Sequence, residues 1–226
     1  MAELKNISKH YGNLQVFNNF SIKFNKNKIN CILGPSGCGK TTLLNIIAGL
    51  LNPDSGEISE INRDKISYVF QEPRLLPWKT VQGNIEFTLN EKIPGDKINE
   101  LIDKYVKLVE LDGYEKYYPG QLSNGMKQRV SLARAFSFPS ELILMDEPFT
   151  GLDYKLKLSL INSFLELWKK DQRTVIYVTH DVDEAIELGD KIFLFSKQPV
   201  KILMTVNRKE LIENAKIKKM IIDLME

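Results

Sequence analysis

The chain has 226 residues, 43% of them hydrophobic, two cysteines and a formal net charge of +2. That length suits one large domain or a core with a small subdomain, and the apolar content excludes wholesale disorder. The charge is small and evenly mixed, which argues against nucleic acid as a partner, and no apolar run approaches the ~18 residues of a membrane span. The N-terminal stretch MAELKNISKHYGN has no apolar segment of the kind that directs secretion. Cys31 and Cys38 sit beside a glycine-rich loop that a bridge would distort, so two reduced thiols in a cytosolic protein are expected.

Residues 2–29 mix short alternating apolar runs (Leu14, Val16, Phe17, then Phe20, Ile22, Phe24) with Asn and Gly, a pattern of antiparallel strands and turns. Ile29–Leu33 reads as a buried strand ending at Gly34-Pro35, and Thr41–Leu51 as a buried helix. Asn52 to Gly56 is a turn by composition, and Ile66–Phe70 another strand. Asp96–Leu111 places Ile98, Leu101, Ile102, Tyr105, Leu108 and Val109 at helical spacing, with Gly113 beyond it. A second helix is predicted from Asn124 to Phe138, so about 84–139 reads as a helical insertion. Then come a strand at Leu142–Met145, a helix at Lys155–Lys170, a strand at Thr174–Thr179, a short helix at Asp183–Leu188 and a strand at Lys191–Phe195. Strands alternating with helices over short connections imply a parallel sheet covered on both faces. Residues 208–226 carry a helical apolar stripe and are expected to form a docked terminal helix.

Residues 34–42, GPSGCGKTT, fit G-x-x-x-x-G-K-[ST] between a predicted strand and a predicted helix. In such a loop, here Gly34, Pro35, Ser36, Gly37, Cys38 and Gly39, the backbone N–H groups turn inward, except at Pro35, which has none, and the helix start adds partial positive charge. Lys40 supplies a point charge for the β- and γ-phosphates, the Thr41 hydroxyl can ligate Mg²⁺, and Thr42 continues the helix start. In LILMDEP (142–148) Asp146 and Glu147 end an apolar strand. Strand alternation separates the two side chains, so Asp146 can hold Mg²⁺ through water while Glu147 polarises a water against the γ-phosphate.

The segment LSNGMKQRVSLARA (122–135) resembles the signature motif of ATP-binding cassette (ABC) ATPases. The other marks follow in that family's order: Tyr11 before the phosphate loop, Gln71 after a strand, Gly151-Leu152-Asp153 after the acidic pair, and His180 after Tyr177-Val178-Thr179. The resemblance covers about residues 2–200. It implies an α/β fold: a P-loop NTPase (RecA-like) core with a mostly parallel sheet, a small antiparallel N-terminal β subdomain and a helical insertion subdomain. One ABC ATPase domain would fill the chain, with the core at about 1–83 and 140–226 and the helical subdomain at about 84–139.

The same resemblance implies roles. Tyr11 would stack on adenine, unless it is simply a surface tyrosine in a turn. Gln71 would reach Mg²⁺ and the attacking water, and His180 would contact the γ-phosphate and Glu147. Ser123, Asn124, Gly125 and Met126 would face the ATP of a second copy, and Asp153 would cross to that copy's phosphate loop. Ser123 and Asp153 also read as helix N-caps, a role compatible with the first. Asn124 stands where the family pattern has Gly; Asn suits a left-handed backbone best among the other residues, so the turn is expected to survive. Two copies head to tail would sandwich two ATP molecules as a homodimer.

The loop Glu72 to Trp78 contains two prolines yet carries Leu75, Leu76 and Trp78, which suggests a docking site for separate transmembrane permease subunits, or else a loop folded back on its own core. QEPRLLPW (71–78) is similar to the ATPases of nitrate, sulfonate and taurine importers, and of importers of thiamine precursors. The resemblance thus implies an ATP-hydrolysing importer subunit, cytoplasmic and peripheral on the inner face of the membrane. An extracytoplasmic solute-binding protein would take part indirectly, and no C-terminal regulatory domain is expected. A soluble ABC ATPase acting on DNA or the ribosome is the alternative; those usually carry two cassettes or a long coiled-coil insertion.

Overall fold

The computed structural model describes residues 2–89, 94–213 and 216–225. In chain order the elements are β1 (Glu3–Tyr11), β2 (Leu14–Lys23), β3 (Ile29–Leu33), α1 (Lys40–Ala48), β4 (Ser55–Ser59), β5 (Ile66–Val69), α2 (Val81–Glu86), α3 (Gly95–Leu108), α4 (Asn124–Ser137), β6 (Leu142–Asp146), α5 (Tyr154–Lys170), β7 (Thr174–Thr179), α6 (Val182–Leu188), β8 (Lys191–Phe195), β9 (Ile202–Asn207), α7 (Arg208–Glu213) and α8 (Lys216–Met225). They fall into two compact units, one of Met1–Ile66, Leu144–Glu147 and Arg173–Glu226, the other of Ser67–Ile143 and Pro148–Gln172.

In the first unit β1 pairs antiparallel with β2 and with β4, giving a small sheet of order β2-β1-β4. The second sheet of this unit is centred on β3, which runs parallel to β7 on one side and β8 on the other, with β9 antiparallel on β8. Every residue of β3 and β7 is buried, which is why both read as unbroken apolar runs rather than alternating ones. Asn30, the polar residue of β3, is fully satisfied: its amide donates to the carbonyls of Asn25, Lys28 and Val175, and its Oδ1 accepts from Asn25 N. Phe17, Phe20 and Phe195 form a chain of ring contacts with centroids 5.1 and 5.4 Å apart. The fold class expected from the sequence is the one observed: α/β, with a mostly parallel sheet and a small antiparallel one.

In the second unit α4 packs against α2, α3 and α5. Buried Arg129 of α4 ties three elements together: it donates to Val109 O after α3 and to the hydroxyls of Ser163 and Ser159 on α5. Phe136 and Phe164 meet edge to face at 6.0 Å.

Some boundaries differ from those read in the sequence. The turn predicted over 52–56 ends sooner, because Ser55 and Gly56 already belong to edge strand β4, whose burial pattern gives only half-buried Ile58 and Ser59 as a signal. Helix α2 has no counterpart in the sequence reading, since VQGNIE holds Gly83 and Asn84, both weak helix formers. The described parts of the expected terminal helix, α7 and α8, are both helical. Residues 90–93 of the helical insertion and 214, 215 and 226 of the terminal segment lie outside the described residues. Among the described residues no helix is long and apolar enough to cross a membrane, and both cysteines are free and buried.

Candidate active site

The loop from Gly34 to Gly39 joins the end of buried β3 to the start of α1 and is closed by Cys38 N donating to Pro35 O at 3.3 Å. Gly39 precedes α1 at φ +122°, and a Cβ there would stand 2.6 Å from Val16 Cγ1. The position therefore demands glycine on both backbone and steric grounds. The start of α1 has no side-chain cap and no acidic residue in its first turn. Its amide groups and dipole are thus available to an anion.

Lys40 is 4% exposed. Its ammonium donates to Gly34 O at 2.8 Å and Pro35 O at 3.0 Å, and lies 3.4 Å from Glu147 Oε1. The Thr41 hydroxyl donates to Asp146 Oδ1 at 3.0 Å. Asp146 is the last residue of β6 and Glu147 the next, with φ +44°, its amide bonded to Val178 O of β7 at 3.0 Å. That left-handed residue is what turns the second carboxylate towards the phosphate loop. His180, just beyond β7, meets Glu147 Oε2 through Nδ1 at 2.7 Å. Burial alone would raise the Glu147 carboxyl, but Lys40 and the His180 ring together outweigh it and hold the group below its ordinary value. Burial pushes the Cys38 thiol up, Lys40 only partly opposing it, so this loop cysteine stays protonated.

A groove runs along the loop, lined by Tyr11, Leu14, Val16, Gly39, Lys40, Thr42 and Gln198. Tyr11 closes β1 and is half exposed there. Ser36 and Gly37 are exposed on the loop's outer turn, and Gln198 Nε2 donates to Gly37 O at 2.7 Å. Sequence reading missed Gln198: it lies in a KQPV stretch with no motif around it.

The remaining expected residues belong to the second unit. Gln71 follows β5 on an exposed bend and lines a cleft with Pro73, Asn124, Gln128, Thr150 and Leu152. Ser123 is the N-cap of α4, its hydroxyl accepting from Met126 N at 3.3 Å, and Asp153 is the N-cap of α5, accepting from Leu156 N at 3.0 Å. Gly125 is packed so closely that a Cβ would stand 2.5 Å from Leu156 Cδ1. The expectation of a left-handed backbone at Asn124 is corrected. Asn124 is the first residue of α4 and its φ is not positive, so the helix simply starts there. Leu75 and Leu76 are half-buried and Trp78 is 70% exposed. Asn84, fully buried, fixes this loop by accepting from Leu76 N and donating to the carbonyls of Leu76, Lys79 and Thr80.

Residues 17–150 match the ABC transporter family. The aliphatic sulfonates import ATP-binding protein of Bacillus cereus is 42% identical over 214 residues, covering 91% of this chain and 83% of that protein. The counterpart in Bacillus subtilis is 41% identical over 83% of this chain and 75% of its own length. Among solved structures, a dimeric bacterial ABC transporter cassette superposes with a TM-score of 0.80 at 30% identity, covering 92% of this chain and 99% of that one. The same cassette in a post-hydrolysis dimer bound to ADP and Pi gives 0.79. A phosphate loop, an acidic pair at a strand end and a histidine on one carboxylate thus coincide with family-wide similarity: the chain belongs to the ABC transporter family, as an ATP-binding cassette ATPase.

Proposed function

We propose that this chain is the ATP-hydrolysing subunit of an importer for a small sulfonate-like anion, working as a head-to-tail dimer beneath separate transmembrane subunits. The observation that carries the catalytic part is the convergence of Lys40, Glu147 and His180, with one Glu147 oxygen on each partner. The solute class is supported by the Bacillus relatives, which are named for aliphatic sulfonate import at 41 to 42% identity.

The groove beside Tyr11 takes the nucleotide, with the ring against the base. The ammonium of Lys40 exchanges its two loop carbonyls for phosphate oxygens. Glu147 accepts a proton from the attacking water, and His180 holds that carboxylate in place while donating towards the γ-phosphate. The Thr41 hydroxyl and Asp146 carboxylate, already 3.0 Å apart, form an all-oxygen pair of the kind Mg²⁺ accepts alongside phosphates. When bound there, the ion neutralises charge on the transferring phosphate. Gln71 is assigned to the same ion and to the attacking water. Ser123, Asn124, Gly125 and Met126 are assigned to the second copy's ATP, and Asp153 to its phosphate loop. Leu75, Leu76 and Trp78 are assigned to the transmembrane subunits, which puts the chain peripherally on the cytoplasmic face. On this reading the chain is one cassette with its helical subdomain at about 84–139.

Liposomes holding the chain with its cognate transmembrane subunits and solute-binding protein test the proposal. ATP-dependent accumulation of an alkanesulfonate is the expected result. Accumulation without ATP, or ATP turnover indifferent to the membrane subunits and to any sulfonate, would overturn it.

A further inference from the structure

Behind the His180 loop lies a buried polar cluster that the hydrolysis chemistry leaves unused. Glu184, on α6, is 3% exposed. Its Oε2 accepts from the Tyr177 hydroxyl at 2.9 Å and from the Thr179 hydroxyl at 2.7 Å. The Thr179 oxygen in turn accepts from Asp181 N at 3.0 Å. Thr179 and Asp181 are the two chain neighbours of His180, so one carboxylate oxygen fixes the backbone on both sides of the histidine. Asp181 closes the circuit: its Oδ1 accepts from Asp183 N at 2.9 Å and from Glu184 N at 3.2 Å. Burial, then the Glu184 charge, push the Tyr177 phenol well above its ordinary range, so it remains a donor.

A carboxylate taken out of water is costly unless hydrogen bonds repay it, and an apolar side chain would fill such a place with less penalty. What the charged network adds is definition of geometry. The geometry it defines is that of His180, whose side chain is 44% exposed yet meets Glu147 Oε2 at 2.7 Å.

We propose that Glu184, acting through Thr179, is a positioning residue for ATP hydrolysis, setting the His180 backbone so that the imidazole reaches Glu147. The inference rests on the roles proposed for Glu147 and His180. It predicts an effect on turnover rather than on nucleotide capture, because the hydrogen bonds joining Tyr177, Thr179, Asp181 and Glu184 do not touch the phosphate loop.

The test uses the purified full chain, with ATP turnover and melting temperature measured for Thr179→Val, Thr179→Ser, Glu184→Gln, His180→Ala and the Thr179→Val/His180→Ala pair. Valine keeps the shape of threonine and removes the hydroxyl; serine keeps the hydroxyl. Thr179→Val should lower kcat by about tenfold, on the scale that small misplacements cost, with KM for ATP within about twofold. Thr179→Ser should restore most of the rate, and Glu184→Gln should fall between. In the His180→Ala background Thr179→Val should have no further effect, since both remove the same function. A Thr179→Val chain that melts lower but turns over normally overturns the proposal, as does a rate loss of equal factor with and without His180. A His180→Ala chain of wild-type rate would instead remove the role of His180 itself, and the positioning proposal with it.

Discussion

The two oxygens of Glu147 face different partners: Oε2 lies 2.7 Å from His180 Nδ1, and Oε1 lies 3.4 Å from Lys40 Nζ. Glu147 itself sits at φ +44°, a conformation that costs a non-glycine residue about 1–3 kcal/mol and persists only where surrounding contacts enforce it. Here the enforcing contacts are its amide on Val178 O and the buried strand before it. The strained turn brings a carboxylate, kept ionised by its two neighbours, over the lysine of the phosphate loop. An ionised carboxylate is the form a proton acceptor needs.

Glu147→Gln keeps the size of the side chain and removes its basicity. Hydrolysis should fall by about 100-fold or more, while ATP binding stays within a few-fold of wild type. Phosphate release and equilibrium binding of a fluorescent ATP analogue measure the two separately. A variant that turns over within about threefold of wild type would take the proton-accepting role away from Glu147.

Asp54 offers a test by pH. Its Oδ1 accepts from Lys9 Nζ at 2.8 Å and its Oδ2 from His10 N at 2.7 Å, fixing the strand end that presents Tyr11. The Lys9 hydrogen bond, then that from the His10 amide, draw its carboxyl down from 3.8 to about 2. A carboxyl lowered by folding stabilises the fold fully above its unfolded value, and the contribution fades as pH falls through the folded one. Asp54→Asn should therefore lower the urea midpoint at neutral pH. The gap to wild type should shrink between pH 3.8 and about 2 and be closed below that. The group is exposed, so the gap should be small and narrower in high salt. A gap that persists undiminished at the acid end would assign the effect to packing.

Much of this was legible because local chemistry and tertiary role coincide. Gly34 to Thr42 announce a turn and a helix start in one stretch, and Leu142 to Glu147 announce a buried strand with its charge at the end. Residues whose role arises across the fold gave no such signal. Gln198 reaches Gly37 from 161 positions away, and Glu184 matters through the loop it packs beneath. Strand β4 and helix α2 were hidden for a different reason: β4 is mostly exposed, and α2 is held by Asn84 bonding a preceding loop rather than by propensity. At Asn124 two readings pulled apart: the helix predicted to begin there does so, while the left-handed turn suggested by the family's glycine is absent.

The two glycines of the loop that have positive φ should respond differently to alanine. At Gly39 a methyl group meets Val16 Cγ1 at 2.6 Å, and Val16 is pinned by Val200 N on its carbonyl at 2.9 Å. At Gly37 the space is open and only the backbone, at φ +73°, resists, by roughly 1–2 kcal/mol. Gly39→Ala should abolish measurable ATP binding and lower the melting temperature, whereas Gly37→Ala should weaken binding by about thirtyfold at most, in line with that strain. Isothermal titration with ATP separates them; equal losses would mean that backbone conformation alone governs the loop.

Trp78 is 70% exposed on a loop that is nevertheless well fixed, by the four hydrogen bonds of buried Asn84 and by Arg134 donating to the carbonyls of Pro73 and Arg74. A rigid loop that holds a large apolar side chain in solvent forgoes its burial, worth about 2 kcal/mol, unless another surface covers it. Trp78→Ala should leave the melting temperature within the small range of surface substitutions, about 0.5 kcal/mol, since the tryptophan supports little of the fold. Recovery of cognate transmembrane subunits on the tagged chain from detergent extracts should drop several-fold. Asn84→Ala should lower both, because it releases the loop, taking the acceptor from Leu76 N and a donor from the carbonyls of Leu76, Lys79 and Thr80. If Trp78→Ala retains the membrane subunits as wild type does, the loop is not where they dock, whatever Asn84→Ala does to the fold.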